Sequence, residues 1–319
     1  DASARNLVWR ESLALFRNKS AMLRRFFSTA RSAVSTTADH LITSQELKVG
    51  MRGYKVLDCS WYMPIQKRDT AAEFRERRLP GARYIGLDPL DDPQSDIPHT
   101  FPPAEVFARE IGARGIRPSD DVVVYDTHGI FSAPRVWYLF HCFGHTNVRV
   151  LDGGLPNWVE QGFGLAEGET GPVKPEAYEI PQLQPNMLVT WEDMLRNIET
   201  REAISVDARS VDRYHGRVEE PRPQVRPGHI PGALNIPFSC LLYDHGIMKD
   251  PSTLRALFEA EGITTGSTVY AYCGSGVTAC IVILGLRQAF GSAVEIRLYD
   301  GSWTEWGVRN DLPVAKEEK

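Results

Sequence analysis

The chain has 319 residues, about twice the usual size of one domain, so two domains are the default expectation. Hydrophobic residues make up 42% and charged residues 24%, the balance of a globular protein and not of a disordered or fibrous one. No run approaches the ~20 apolar residues of a membrane-spanning helix, and 36 Lys plus Arg against 41 Asp plus Glu leave −5, which gives no electrostatic case for binding nucleic acid.

That charge is uneven. Residues 1–38 hold seven basic residues (Arg5, Arg10, Arg17, Lys19, Arg24, Arg25, Arg31) against Asp1 and Glu11, or +5, so the other 281 residues carry 29 − 39 = −10. Leu13, Phe16, Met22, Phe26 and Phe27 recur at helical spacing, and a hydroxyl-rich run follows from Ser28 to Thr37. Arg-rich, Ser-rich, acid-poor and amphipathic is the make-up of a mitochondrial transit peptide. A plain basic tail on a cytoplasmic protein is the alternative. Residues 1–39 are therefore set apart, and fold reasoning starts near His40.

The rest of the chain repeats itself. Val56-Leu57-Asp58 recurs as Ser205-Val206-Asp207, and Leu79-Pro80-Gly81-Ala82 as Ile230-Pro231-Gly232-Ala233. Val124-Tyr125-Asp126 answers Ala271-Tyr272-Cys273, and Leu151-Asp152-Gly153-Gly154 answers Tyr299-Asp300-Gly301-Ser302. Four matches in one order at one offset mark a tandem duplication. In chain order, residues 121–125 and 148–151 read as buried strands in the first copy, with a helix over 132–143 between them. Residues 267–272 and 294–299 read as strands in the second copy, around a helix over 277–290. Strands alternating with helices predict an α/β fold, each copy a parallel sheet flanked by helices on both faces. The predicted domains are 40–165 and 187–313, joined by a proline-rich linker at 166–186 and followed by a solvated charged tail at 314–319.

Five cysteines (Cys59, Cys142, Cys240, Cys273, Cys280) without a CxxC imply neither a disulfide framework nor a zinc knuckle. His141 and His145 have a metal-ligand spacing, but Gly144 between them predicts a helix C-cap that turns the rings apart. No metal or organic cofactor is expected. Cys59 is placed at a strand end, Cys142 and Cys240 as packing residues, and Cys280 as a buried small residue with redox partnership as the alternative.

The two copies differ most at the third of their four matches. Where the first reads Tyr125-Asp126-Thr127-His128, the second reads Tyr272-Cys273-Gly274-Ser275-Gly276-Val277-Thr278-Ala279-Cys280. Strand-to-helix loops lie at the carboxyl edge of a parallel sheet, where ligands bind. Glycines let successive N–H groups curl around one point, and the helix N-terminus adds positive potential there. A thiol so placed ionises more easily and becomes a nucleophile. With Asp126 in the corresponding place, only the second copy is expected to react. Other loop chemistries stay open from the residues alone. A phosphatase-type loop needs an arginine where this chain has Ala279. A dinucleotide loop finds Gly274-x-Gly276-x-x-Ala279 and Glu295, but Glu295 falls at the start of its strand. A structural cysteine in a tight turn is the third.

Residues 273–280 resemble the active-site loop of the two-domain rhodanese family, in its mercaptopyruvate-using branch. The resemblance extends over nearly all of residues 40–313, through Leu57-Asp58-Cys59-Ser60-Trp61-Tyr62, Ser132-Ala133-Pro134-Arg135-Val136-Trp137, Pro227-Gly228-His229-Ile230-Pro231-Gly232 and Tyr299-Asp300-Gly301-Ser302-Trp303. It implies two rhodanese domains with the site on the second one's loop. It also implies sulfur transfer from 3-mercaptopyruvate through a persulfide on Cys273, with release of pyruvate. The implied acceptors are a thiol such as thioredoxin or glutathione, or cyanide, and the implied state is a monomer. Gly274, Gly276, Val277 and Thr278 match the family's substrate-binding loop.

By the same resemblance Arg213 and Arg222 match the arginines that hold the substrate's carboxylate and keto oxygen, a task suited to the planar guanidinium. Arg209 is a nearby but weaker candidate for that task, since an Arg after a strand-end Asp often makes a structural ion pair. A Cys–Ser–Asp proton relay maps to Cys273, Ser275 and Asp88, although Ser275 could cap the helix instead and Asp88 could be a turn residue. His99 falls on a family position near the site. One departure is visible: Gly86 stands where the family commonly has an acidic residue. Thiosulfate-preferring relatives place basic residues directly after the cysteine; neutral Gly274 and Ser275 point away from thiosulfate as the main donor.

Overall fold

The structure, a computed structural model, describes residues 40–317. The basic leader with its expected targeting role, and the last two residues of the tail, lie outside the described residues.

In the first half, β1 (Leu41–Ile42), β2 (Tyr54–Asp58), β3 (Arg83–Tyr84), β4 (Asp121–Tyr125) and β5 (Val148–Leu151) form a sheet in the order β1-β5-β4-β2-β3. In the second, β6 (Leu188–Val189), β7 (Ile204–Asp207), β8 (Leu234–Asn235), β9 (Thr268–Tyr272) and β10 (Glu295–Tyr299) follow β6-β10-β9-β7-β8, the same order again. Every neighbouring pair is parallel. The repeat in the sequence is therefore a repeat of topology, and the expected α/β class holds in both copies.

Side chains along a strand alternate between faces, and the core follows that alternation. Val122 and Val124 of β4 and Val269 and Ala271 of β9 enter one apolar cluster shared by both halves. Val123 and Tyr125 face a second cluster with Leu151 and Trp158, while Tyr270 and Tyr272 face a third with Trp303 and Trp306. Helices α4 (Ala133–Cys142) and α9 (Ala279–Phe290) are buried on nearly every side within the shared cluster. Ile281, Val282, Ile283, Leu284 and Leu286 of α9 are each fully buried, and such burial stabilises by about 1.5–3 kcal/mol per side chain. A helix apolar all round belongs in this position. It starts two residues later than the sequence predicts, because Gly276 has φ +73° and Val277 still belongs to a turn.

Residues 166–186 are a strap rather than a free tether. Ala166 pairs antiparallel with Arg78, the Glu176 N–H donates to Gly112 O at 2.9 Å, and the Gln184 N–H to Cys142 O at 2.7 Å. Its prolines deny it regular structure, yet these bonds lay it along the first half. The tail also departs from expectation: Ala315 pairs with His229, and Arg217 Nε lies 2.5 Å from Glu317. Residues 315–317 are thus held against the second half, not merely solvated.

In each sheet the chain moves outward in opposite directions from the central pair, β2 with β4 and β7 with β9. The carboxyl ends of that pair flank a topological switch point, where ligands bind in open parallel sheets. Arg209 follows β7 and Cys273 follows β9, so both stand at this edge.

Candidate active site

Cys273 is the first residue after β9 and is 2% exposed, at the floor of its loop. Its N–H donates to the Ser302 hydroxyl at 3.2 Å and its C=O accepts from the Trp303 N–H at 3.0 Å, both at the start of α10 (Ser302–Trp306). The Gly274 carbonyl accepts from the Thr304 N–H at 2.8 Å and the Thr304 hydroxyl at 2.6 Å. The Gly276 carbonyl accepts from the Cys280 thiol at 3.3 Å and Arg135 Nη1 at 3.4 Å. The carbonyls are held; the amides are not. Among the described residues, the N–H groups of Gly274, Ser275, Gly276, Val277 and Thr278 donate to no protein acceptor. Five successive free donors at the N-terminus of an apolar helix make a nest suited to an anion.

The first half shows what such a loop holds. Asp126 follows β4 as Cys273 follows β9. Its Oδ1 accepts the His128 N–H at 2.9 Å, and its Oδ2 accepts the N–H groups of Phe131, Ser132 and Ala133 at 2.8, 2.9 and 2.9 Å. That loop is filled by its own carboxylate. In the second half a thiol stands where the carboxylate was, and the amides donate to no such side-chain partner among the described residues.

Both glycines of the loop are crowded, and Gly276 is also held in a conformation that favours glycine. A Cβ on Gly274 would stand 3.0 Å from Arg213 Nη2. A Cβ on Gly276 would stand 3.0 Å from both Arg135 Nη1 and Asp300 O, in a left-handed backbone that disfavours side chains.

The same contact places Arg213 against the loop. Its Nε and Nη2 donate to Glu220 at 3.2 and 2.5 Å. Glu220 is itself almost fully buried and also accepts from Arg209 at 2.9 Å. Arg209 is fully buried, forks onto Asp207 with Nη2 at 2.6 Å, and stacks 4.5 Å over the Trp303 ring. It is the structural ion pair its position after Asp207 predicts. A chain of charge, Asp207–Arg209–Glu220–Arg213, thus aims the last guanidinium. Arg222 donates to the Thr304 hydroxyl at 3.4 Å. Burial holds its guanidinium below the ordinary range and Arg213 pushes it further down, whereas Cys273 and Glu220 favour its charge. Both arginines and the thiol share one electrostatic neighbourhood.

From the first half, Asp88 opens a single 3-10 turn (Asp88–Leu90) and is exposed. One ligand atom each from Asp88, Asp91 and His99 lie within 4.8 Å of one another, a trio of the sort that binds metal. The His99 ring is 5% exposed, packs edge-on to Trp61 at 4.7 Å, and brings Nδ1 within 3.4 Å of Asp91 without a hydrogen bond. Arg135 donates to the His99 carbonyl as well as to Gly276 O, which ties this segment to the sulfur loop. The Ser275 hydroxyl is buried but bonds neither Asp88 nor Cys273 among the described residues, and it does not cap α9, whose N-cap is Thr278. Gly86, the departure noted above, has φ +66°, and a Cβ there would meet the Tyr84 hydroxyl at 2.8 Å. A side chain there would meet both a strained left-handed backbone and the Tyr84 ring.

Models of the rhodanese-like domain match residues 43–161 and 190–308, one per sheet. The chain belongs to the rhodanese family. It is 42% identical to human 3-mercaptopyruvate sulfurtransferase, over 80% of this chain and 85% of the human protein. It is 36% identical to the mitochondrial thiosulfate/3-mercaptopyruvate sulfurtransferase 1 of Arabidopsis thaliana, over 90% of this chain and 80% of that one. Among solved structures, SseA of Escherichia coli, described as a 3-mercaptopyruvate sulfotransferase, superposes with a TM-score of 0.73 at 32% identity, over 83% of this chain and 99% of SseA.

Three of the remaining cysteines are buried. Cys59 and Cys142 are buried with thiols pushed well above their ordinary range by burial. Cys280 is fully buried and burial pushes its thiol up to about 12, so it donates a hydrogen bond rather than ionising. The two spaced histidines have separate partners: His141 packs on Trp137 and His40, and His145 bonds Tyr178 and the Asp120 carbonyl. Three residues escaped the sequence reading. Glu220 was hidden among neighbouring charges. Ser302, fully buried at φ +51°, was signalled only by replacing the second glycine of the first copy's Asp152-Gly153-Gly154. Arg135 lay inside a matching motif with no role attached.

Proposed function

We propose that this rhodanese is a sulfurtransferase that takes sulfur from 3-mercaptopyruvate onto Cys273 and passes it to a thiol or cyanide, releasing pyruvate. The observation that carries the reading is the loop of five free amides directly after Cys273, matched in the first half by a loop closed on the Asp126 carboxylate. Donors that favour a thiolate also favour a persulfide anion, so one loop serves both half-reactions.

In the first half-reaction the Cys273 thiolate attacks the substrate sulfur. An S–S bond forms, the carbon–sulfur bond breaks, and its electron pair goes to carbon as the pyruvate enolate. The substrate's thiol proton ends on that carbon, leaving pyruvate and a persulfide anion among the amides. We assign Arg213 and Arg222 to the substrate's carboxylate and keto oxygen, Ser275 and Asp88 to the proton's route, and His99 to the wall beside them. Gly274, Gly276, Val277 and Thr278 supply the donors. In the second half-reaction the acceptor, a thiolate or cyanide, attacks the outer sulfur; the S–S bond breaks and its electron pair restores the Cys273 thiolate. Glutathione, a thioredoxin-type dithiol and cyanide all meet that requirement, and the chain acts as a monomer.

Steady-state pyruvate release tests the assignment. Cys273→Ser abolishes turnover, and substantial residual turnover overturns the role given to Cys273. A carrier without catalytic turnover would release one equivalent and stop. The basic, hydroxyl-rich leader is proposed to direct the protein to mitochondria; fusing residues 1–39 to a fluorescent protein tests this, and a diffuse cytoplasmic signal refutes it.

A further inference from the structure

We propose that Arg135, supplied by the first half, is a positioning residue for the sulfur-bearing loop of the second: it holds the Gly276 carbonyl outward and so aims the Val277 N–H at the sulfur. The inference rests on the sulfurtransferase reading above.

A trans peptide unit points its C=O and N–H in opposite directions, so fixing one fixes the other. Beyond the Cys273 carbonyl, which the Trp303 N–H holds, two further carbonyls of the loop are held. Thr304, in the same half, holds Gly274 and thereby orients the Ser275 N–H. Arg135 and the Cys280 thiol hold Gly276 and thereby orient the Val277 N–H. Both of those N–H groups are among the five free donors.

The arginine is built into place. It is 2% exposed, reaches Gly276 from 141 residues away, donates to Asp300 Oδ1 at 2.8 Å and to the His99 carbonyl, and stands 4.4 Å over the Phe101 ring. Asp300 is fixed in turn by the Phe101 N–H at 2.7 Å from its Oδ2. Stability alone is a weak reason for this arrangement, since buried ion pairs are often matched or bettered by apolar residues. The duplication supplies a second reason. The position equivalent to Arg135 in the second copy is Val282, and the loop that would face it already holds the Asp126 carboxylate. The cation stands only behind the loop whose charge comes and goes. Arg remains charged when buried and offers a fork of donors that Lys lacks.

The test compares Arg135→Gln and Arg135→Lys with the unaltered full chain. The readouts are the pH dependence of Cys273 alkylation by iodoacetamide, followed by mass, and kcat and KM for 3-mercaptopyruvate. In Arg135→Gln the alkylation midpoint rises by about one pH unit and kcat falls about tenfold, the equivalent of one displaced proton equilibrium. KM changes by less than about threefold, because Arg213 and Arg222 are untouched. Arg135→Lys, with charge but without the fork, falls between. An Arg135→Gln protein with the original alkylation profile and kcat overturns the proposal, as does a rise in KM at constant kcat. Should Arg135→Gln fail to fold, Cys280→Ala removes the other donor on the same carbonyl and must move the profile the same way by less; an unmoved profile overturns the proposal. Failure of the unaltered protein to gain sulfur would instead sink the sulfurtransferase reading itself.

Discussion

Asp126 and Cys273 are counterparts: each is the first residue after the fourth strand of its sheet, behind Tyr125 and Tyr272, and each opens a strand-to-helix loop. In one, four amides close on the carboxylate within 2.9 Å. In the other, five amides donate to nothing among the described residues. The protein thus carries an internal standard for its own site. A loop that binds a fixed negative charge in the first half is, under the proposed function, kept open for a sulfur-borne charge in the second.

Removing the fixed charge should be costly. Asp126→Ala leaves four N–H groups, two of them buried, without an acceptor, and each such loss costs about 1–3 kcal/mol. Urea unfolding is expected to show a loss of about 3 kcal/mol or more, with the folded protein still taking sulfur at Cys273. A loss below about 1 kcal/mol would mean that the loop reorganises freely and that its amides need no anion.

Ser302 holds a backbone that glycine prefers, in exchange for the bond from the Cys273 N–H. The left-handed conformation costs a side chain roughly 1–2 kcal/mol. Ser302→Gly therefore loses two hydrogen bonds but sheds the strain, whereas Ser302→Ala loses the bonds and keeps it. Thermal unfolding should rank Gly above Ala by about 1 kcal/mol, although the residue opens a helix where Ala is normally favoured. The reverse ranking would contradict a strained Ser302.

Arg213 and its anchor make a graded pair. With Arg213 in its proposed role, Arg213→Ala removes a charge-assisted bond to the substrate's carboxylate, worth about 1.5–3 kcal/mol, so KM rises roughly tenfold or more with a smaller change in kcat. Glu220→Gln keeps the shape but weakens the grip on Arg213, seen at 2.5 Å, and should raise KM by less. An unchanged KM in Arg213→Ala removes its assigned role.

Acid should loosen the fold before it reaches the bulk of the carboxylates. Burial, aided by Arg287, holds His40 down at about 4; burial, then His40, Arg287 and His145, hold His141 at about 3. Both lie below the ordinary 6.5, so the unfolded chain takes up protons first. Their stabilisation is complete above pH 6.5 and drains away as pH falls towards 4. Asp58 works the other way: burial raises it from 3.8 to about 6, so its contribution is complete at low pH and is lost as pH rises through 6. Two histidines outweigh one carboxylate, and the urea midpoint is expected to drop between pH 6.5 and 4. A midpoint that is flat or rising on acidification over that window would contradict this balance.

Much of this architecture was legible in the sequence because it is local or repeated. The strands at 121–125 and 148–151 announce themselves by continuous β-branched runs, the helix read at 277–290 and found at 279–290 by its apolar run up to Leu286, and the duplication by motifs in register. The Cys273 loop was legible because a strand, a thiol, two glycines and a helix follow one another within a few residues. What depends on long-range contact was not. Arg135 meets Gly276 across 141 residues, and nothing near either residue signals the other. The strap at 166–186 reads as a tether because its prolines are visible and its bonds to Gly112 and Cys142 are not. Asp126 was recognisable as unreactive, but its role as a bound anion appears only when the four amides are seen around it.

The most direct measurement is the intact mass of the protein after brief exposure to 3-mercaptopyruvate, with peptide mapping of the product. One added sulfur atom on Cys273, removed again by an acceptor thiol, is the expected result. No added sulfur, sulfur on Cys280 instead, or the same gain in Cys273→Ser would contradict the account.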